Sequence, residues 1–251
     1  MLNFLKRPIE TFQDFVYLSL RAGGNLFVTP RYLDDTVLQM DIIGVGSLPI
    51  CSMVGLFSGI VMALQMGDAL TTYGAESQVG QIVSITLVTQ MGPVLTALLV
   101  AGRNASGMAS ELGSMRVTEQ IDAMRALGTD PTKKLVTPRL VATAFTLPLL
   151  TIVSNFIGLI GGYMIAAAQL GLTFSEYWTS SWQVLDYDDV AQGLIKPVVF
   201  AVIIALVGCL YGINTSGGTQ GVGRATTNAV VWSSLWIIVL NALVTQVFVN
   251  F

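Results

Sequence analysis

The chain is 251 residues long, 53% hydrophobic and 11% charged, with a mean hydropathy of +0.70. A soluble domain carries about 25% charged residues, so this chain cannot wet a globular surface and the bilayer is the solvent for most of it. Its net charge of -3 argues against nucleic-acid binding, and the lack of histidine removes Ser-His and Cys-His nucleophile pairs and His-ligated metal sites.

The first forty residues differ from the rest. Ile9, Phe12, Val16 and Leu20 recur at helical spacing among Lys6, Arg7, Glu10, Asp14 and Arg21. That pattern predicts an amphipathic helix, lying along a membrane surface or packed as a short soluble helix on a partner. Glu10 and Asp14 interrupt any apolar core of a signal peptide.

A spanning helix needs about 20 mostly apolar residues. The charge-poor gaps predict five, near 42–65, 79–101, 142–168, 192–213 and 228–249. With the N-terminus inside, eleven of the twelve Lys and Arg fall on the cytoplasmic side: Lys6, Arg7, Arg21 and Arg31, then Arg103, Arg116, Arg125, Lys133, Lys134 and Arg139, then Arg224. The outer loops, 66–78 and 170–190, carry only acids, and Phe251 ends outside. The prediction is an all-α polytopic membrane protein, one domain over 1–251. It comprises an interfacial region (1–40), two spans (42–101), a cytoplasmic region (103–139) and three spans (142–249).

Pro49, Pro93, Pro148 and Pro197 lie within spans and are expected to kink or break them, although membrane helices also tolerate proline. Gly55-x-x-x-Gly59 and Gly158-x-x-x-Gly162 allow close helix approach. Cys51 and Cys209 read as buried thiols. At mid-membrane depth the polar side chains noted are Gln90 and a few Ser and Thr, too few for the lined path that a channel or secondary transporter needs.

Residues 103–139 hold ten charges in 37 positions. Met108, Leu112 and Met115, then Val117, Ile121 and Met124, recur at helical spacing. Thr118 is a candidate N-cap, and Gly128 and Pro131 a stop. The expectation is an amphipathic helix on the inner face that docks in a groove of another protein, or else packs on its own membrane domain. No Gly-Lys-Ser/Thr exists, so the chain has no Walker A loop. The glycine-rich run 217–223 reads as a tight turn between spans.

The stretch from Gly92-Pro93 through Gly102-Arg103, Gly107, Glu111, Gly113, Glu119-Gln120 and Asp122 to Gly128 and Asp130-Pro131 resembles the signature of MlaE/YrbE-type permeases. A second stretch, from Asn214 through Gly221-Val-Gly223-Arg224, resembles that family's other signature. The likeness runs from about residue 40 to the end. It implies the membrane subunit of an ATP-driven phospholipid transporter: a homodimer, two copies of a separate ABC ATPase that binds the ATP and Mg, and an oligomer of MCE-domain proteins on the outer face. It implies a coupling helix carrying Arg103, Glu111, Met115, Arg116, Glu119, Gln120 and Asp122, and a lipid pocket walled by Leu70, Tyr73, Thr89 and Gln90. Relatives often carry a charged pair, with a glutamate, where this chain has Thr89-Gln90. Lys196 is expected to snorkel to the outer interface and meet a lipid phosphate, Asp188 or Asp189. No catalytic residue, metal ligand or cofactor is expected in this chain. A non-transporting scaffold is the remaining alternative.

Overall fold

A computed structural model describes residues 2–25 and 32–250, with side chains from Phe12 onward except that of residue 249. The side chains of Lys6, Arg7, Ile9 and Glu10, and the whole of Arg31 and Phe251, lie outside the described residues. Among the described residues there are helices and no strands. In chain order these are α1 (Leu2–Asn25), α2 (Leu33–Met40), α3 (Gly46–Thr71), α4 (Val79–Thr86), α5 (Gly92–Val100), α6 (Ser106–Val117), α7 (Gln120–Ala126), α8 (Thr137–Leu170), α9 (Phe174–Gln183), α10 (Tyr187–Ile213) and α11 (Gly218–Asn250).

Five continuous helical stretches are long and apolar enough to cross a membrane: Leu33–Thr71, Glu76–Val117, Thr132–Leu170, Tyr187–Ile213 and Gly218–Phe248. The five expected spans are therefore present, but most outrun the charge-poor gaps. A stretch of 39 residues extends about 58 Å, nearly twice the hydrocarbon thickness. A helix satisfies its own backbone and continues into water unless something stops it. Hence α2 is joined to the first span, and α6 is the continuation of the second span rather than a separate loop helix.

Four π-helical turns interrupt these stretches: Asp41–Val45, Leu87–Met91, Ala101–Ala105 and Thr132–Val136. Three of them end two to four residues before a proline. Pro49, Pro93 and Pro138 each lack an N–H, and each ring crowds the carbonyl four residues earlier. Those carbonyls belong to Val45, Thr89 and Lys134, and each lies inside a π-turn. Widening the turn relieves the clash without ending the helix. Helices α8 and α10 run through Pro148 and Pro197 unbroken.

The chain divides into two compact units, and every span contributes to both. The first unit comprises Met1–Ile43, Val100–Phe145 and Phe200–Ile237. Its core gathers Leu18, Ala22, Met108, Leu112, Ile121, Leu140 and Leu206. Helix α1 turns Leu18 and Ala22 into this core and leaves Phe12, Val16, Tyr17 and Leu20 exposed. One face of the N-terminal helix thus packs on the chain's own core rather than on a partner, and the described part of the predicted stripe, Phe12, Val16 and Leu20, is exposed. Arg21 reaches Asp130 at 3.4 Å, and Asn214 donates to Asp14 at 3.1 Å.

The second unit comprises Gly44–Leu99, Thr146–Val199 and Ile238–Phe251. Here both predicted glycine motifs make close contacts. A Cβ on Gly59 would sit 1.8 Å from the Gly158 carbonyl oxygen, and one on Gly55 would sit 2.3 Å from that of Ser154. Ser154 also donates to the Cys51 carbonyl at 3.1 Å. Gly162 instead makes room for the Tyr177 hydroxyl of α9. Cys51 and Cys209 are buried free thiols, as read from their apolar surroundings.

Candidate functional site

In the second unit, Pro93 removes the N–H that would reach the Thr89 carbonyl in α-helical register. Lys196 of α10 supplies a donor instead: its Nζ lies 2.7 Å from that oxygen and 3.1 Å from Gln90 Oε1. The Asn241 amide of α11 donates to the same Gln90 oxygen at 3.4 Å. Thr89 is itself buried, its hydroxyl donating back to Ile85 at 2.7 Å.

This arrangement corrects two expectations. Lys196 does not snorkel to an interface or meet Asp188 or Asp189. It is fully buried, about 14 Å along α10 from its start, with its amino group on the Thr89 carbonyl and Gln90. Nor is the membrane interior as poor in polar side chains as Gln90 and hydroxyls alone suggested. Asn155, Gln192 and Asn241 lie within the spans as well. Amides in a spanning helix are costly unless paired, and that cost is the signal by which the sequence marks them. The Oδ1 atoms of Asn155 and Asn241 have no protein hydrogen-bond partner.

Thr89, Gln90 and Lys196 therefore come together as a cluster. Leu70 packs elsewhere, with Val79, Val83, Leu159 and Tyr177, and Tyr73 stands exposed just beyond the end of α3. Beside the π-turn, Met91 and one face of α3 line an open groove of about 580 Å³, formed by Ile50, Met53, Val54, Phe57 and Val61 with Ser58 and Gln65 at its polar points. Its size and apolar lining fall in the range of small-molecule and lipid-chain sites.

In the first unit, the predicted coupling residues fall on α6, α7 and the turn between them, with Arg103 on the π-turn Ala101–Ala105 just before α6. Met108 and Leu112 are buried, and Met115 packs on the same core. The apolar stripe thus faces the chain's own core, and a groove on another protein is not what receives it. The tight contact is with α10. A Cβ on Gly212 would come within 2.7 Å of the Leu112 Cβ, and one on Gly208 within 3.1 Å of Ala105. This Gly208-x-x-x-Gly212 pair was overlooked in the sequence. Thr118 is no N-cap: it follows α6, and its hydroxyl bonds back to Ser114 at 2.9 Å. Glu119 begins α7 with a left-handed φ of 60°, an uncommon conformation for a residue with a Cβ.

The charged members pair within the chain. Glu111 Oε1 accepts from Arg139 at 2.8 Å, and the Arg139 side chain is buried. Asp122 is held by Arg116 and, at 2.9 Å, by Arg125. The Arg116 hydrogen bond, with the charge of both arginines, holds the Asp122 carboxyl below its ordinary pKa. Gln120 donates to Thr118 at 3.0 Å, and Arg103 and Glu119 are exposed. Two further exposed groups flank α7: Val117 and, at 84% exposure, Leu127. The ion pairs fix the shape of the tip, while these apolar groups stand open.

The sequence puts the turn between spans in the glycine-rich run 217–223, but the turn lies at 214–217, and residues 218–223 already form the start of α11. Gly217 and Gly218 have φ of 89° and 66°, and a Cβ on Gly221 would lie 2.0 Å from the Ser216 oxygen.

A family model described as Permease MlaE matches residues 36–247. A probable ABC transporter permease protein of Rickettsia prowazekii is 42% identical over 234 residues, covering 93% of this chain and 90% of the relative. A probable ABC transporter permease protein of Synechocystis is 41% identical over 207 residues, 82% of this chain and 79% of the relative. The intermembrane phospholipid transport system permease protein MlaE of Haemophilus influenzae is 32% identical over 255 residues, with 98% of each chain covered.

Proposed function

The chain belongs to the MlaE permease family of ABC transporters, and from that premise we propose that it is the membrane subunit of an ATP-driven phospholipid transporter. It moves lipid between a bacterial inner membrane and the periplasm. Its N-terminus is cytoplasmic and its C-terminus periplasmic. It works as a homodimer with two copies of a separate ATPase, which bind the ATP and Mg, beneath the first unit, and an MCE-domain oligomer over the periplasmic face.

One observation carries this reading: α10 is one continuous helix, whose Gly208 and Gly212 pack against α6 and whose Lys196 holds the Thr89 carbonyl of the second span. A push on the α6–α7 tip is thereby delivered to the helix that holds the Thr89–Gln90 turn. The groove along α3 receives the acyl chain, and Met91 joins its wall to the buried Thr89–Gln90–Lys196 cluster, while Leu70 and Tyr73 stand outside its lining. The Haemophilus relative's name, a phospholipid transport permease, supports lipid as cargo.

The ATPase docks on the exposed side of the tip. Glu119, Gln120, Val117 and Leu127 make the contact, and the Glu111–Arg139 and Arg116–Asp122 pairs, with Arg103, hold α6 and α7 in place. Changing both Val117 and Leu127 to Asp is expected to lose the co-purifying ATPase, because each change would bury an unpaired carboxylate in an apolar contact. Lipid transfer into liposomes is expected to stop with it. Retention of the ATPase by that variant, or transfer without any second polypeptide, refutes the proposal. Normal assembly without transfer in the unmodified complex favours a scaffold.

A further inference from the structure

A lysine amino group buried within a span, with no carboxylate beside it among the described ion pairs, requires a reason. The π-turn supplies one. Pro93 leaves the Thr89 carbonyl without the N–H that would close the α-helical turn, in a place where water cannot substitute for it. Lys196 Nζ sits 2.7 Å from that oxygen. The same Nζ holds Gln90, and Gln90 in turn meets Asn241. The turn ends at Met91, whose side chain lines the apolar groove.

We infer that Lys196 is a positioning residue: its amino group stands in for the backbone donor that Pro93 lacks, and so fixes the Leu87–Met91 turn and the groove wall that Met91 forms. Its consequence for transfer rests on reading the groove as a lipid route, but the tether itself does not. This separates Lys196 from a group whose work is to meet a headgroup phosphate. A positioning lysine is dispensable once the backbone can close its own turn, whereas a headgroup lysine is not.

The test is a double-mutant cycle in the full chain, with Lys196→Met, Pro93→Ala and both together. Lys196→Met keeps the length of the side chain and removes the donor. Pro93→Ala restores the backbone N–H. Two readouts are taken: labelling of Met91→Cys by a membrane-permeant maleimide well below the unfolding temperature, and lipid transfer with the ATPase present. Lys196→Met is expected to change the labelling rate several-fold and to slow transfer about tenfold, and adding Pro93→Ala is expected to return both to within about threefold of the parent, the non-additivity of groups sharing one partner. Loss of global stability alone does not move labelling of the folded protein, so that readout separates positioning from folding. If Lys196→Met does not yield folded protein, Lys196→Gln, whose shorter amide falls short of Thr89, must show the same rescue. A double variant as slow as Lys196→Met, or unmoved labelling, overturns the inference. If the parent transfers no lipid at all, the lipid reading fails, while rescue of labelling still supports the tether and its absence still overturns it.

Discussion

Thr173 and Glu176 close the first turn of α9 on each other. The Glu176 carboxylate accepts from the Thr173 N–H at 2.8 Å and from its hydroxyl at 2.8 Å, while the Glu176 N–H donates to Thr173 Oγ1 at 3.4 Å. The backbone hydrogen bond, then the hydroxyl, lowers the Glu176 pKa from its ordinary value. A carboxylate with a lowered folded pKa contributes stability that is fully present above the unfolded value and lost as pH falls through the folded one. The protection of α9 amides, relative to their intrinsic exchange, is therefore expected to fall as pH is taken below the ordinary carboxylate range, with Glu176→Gln abolishing that dependence. Thr173→Ala is expected to cost about 1 kcal/mol of local protection at any pH. Equal acid sensitivity in Glu176→Gln would show that the carboxylate is not responsible. The Thr-x-x-Glu pattern stands in the sequence, yet the segment reads as outer loop because its charges are acidic and its flanks polar. Lys196 shows a related gap. Its identity is plain, but its acceptor is a backbone carbonyl, and only the Pro93 three residues beyond Gln90 hints that one is free.

Among whole elements, contact between spans is set by what the glycines leave out. Helix α3 meets α8 through Gly55 and Gly59, where a Cβ on Gly59 would collide with backbone rather than a movable side-chain end. Gly59→Val is expected to force α3 and α8 apart and to destabilise the protein by roughly 1–3 kcal/mol, the usual cost of overpacking. Gly102→Ala, where nothing lies within 4 Å of the added carbon, is the neutral control, and thermal unfolding of the two in detergent checks the contrast. An equal melting temperature in both would mean that the α3–α8 contact yields freely. The motif at 55–59 was legible because both glycines sit on one helix face. The equivalent pair at 208–212 carries the same spacing and was passed over, and with it the packing of α6. Of the four prolines singled out, Pro49 and Pro93 announced a disturbance but not its form, Pro148 and Pro197 disturb nothing, and Pro138 was passed over. A π-turn adds a residue to a turn without changing the residues flanking it, so nothing in hydropathy distinguishes it from a kink.

On the scale of the whole chain, the positions of charge and the division into units were reached separately and agree. The segments of the first unit hold, by sequence, eleven of the twelve Lys and Arg, and those of the second hold Lys196 alone. A bilayer sorts basic segments to the cytoplasmic side, so such a division is expected when each span passes from one unit into the other. This is why the span count was readable from composition, whereas the helix ends, which depend on capping rather than on hydropathy, were not. Orientation follows as a prediction. Leu127 and Tyr187 are exposed, at 84% and 95%, and belong to the first and second units. In intact cells, a membrane-impermeant maleimide is expected to label Tyr187→Cys and not Leu127→Cys, and opening the inner membrane should reverse the protection of Leu127→Cys. The buried Cys51 and Cys209 leave little background. Labelling of Leu127→Cys from outside would place α6 and α7 in the periplasm, away from any nucleotide. No ATPase could then act on the element that α10 is built to receive.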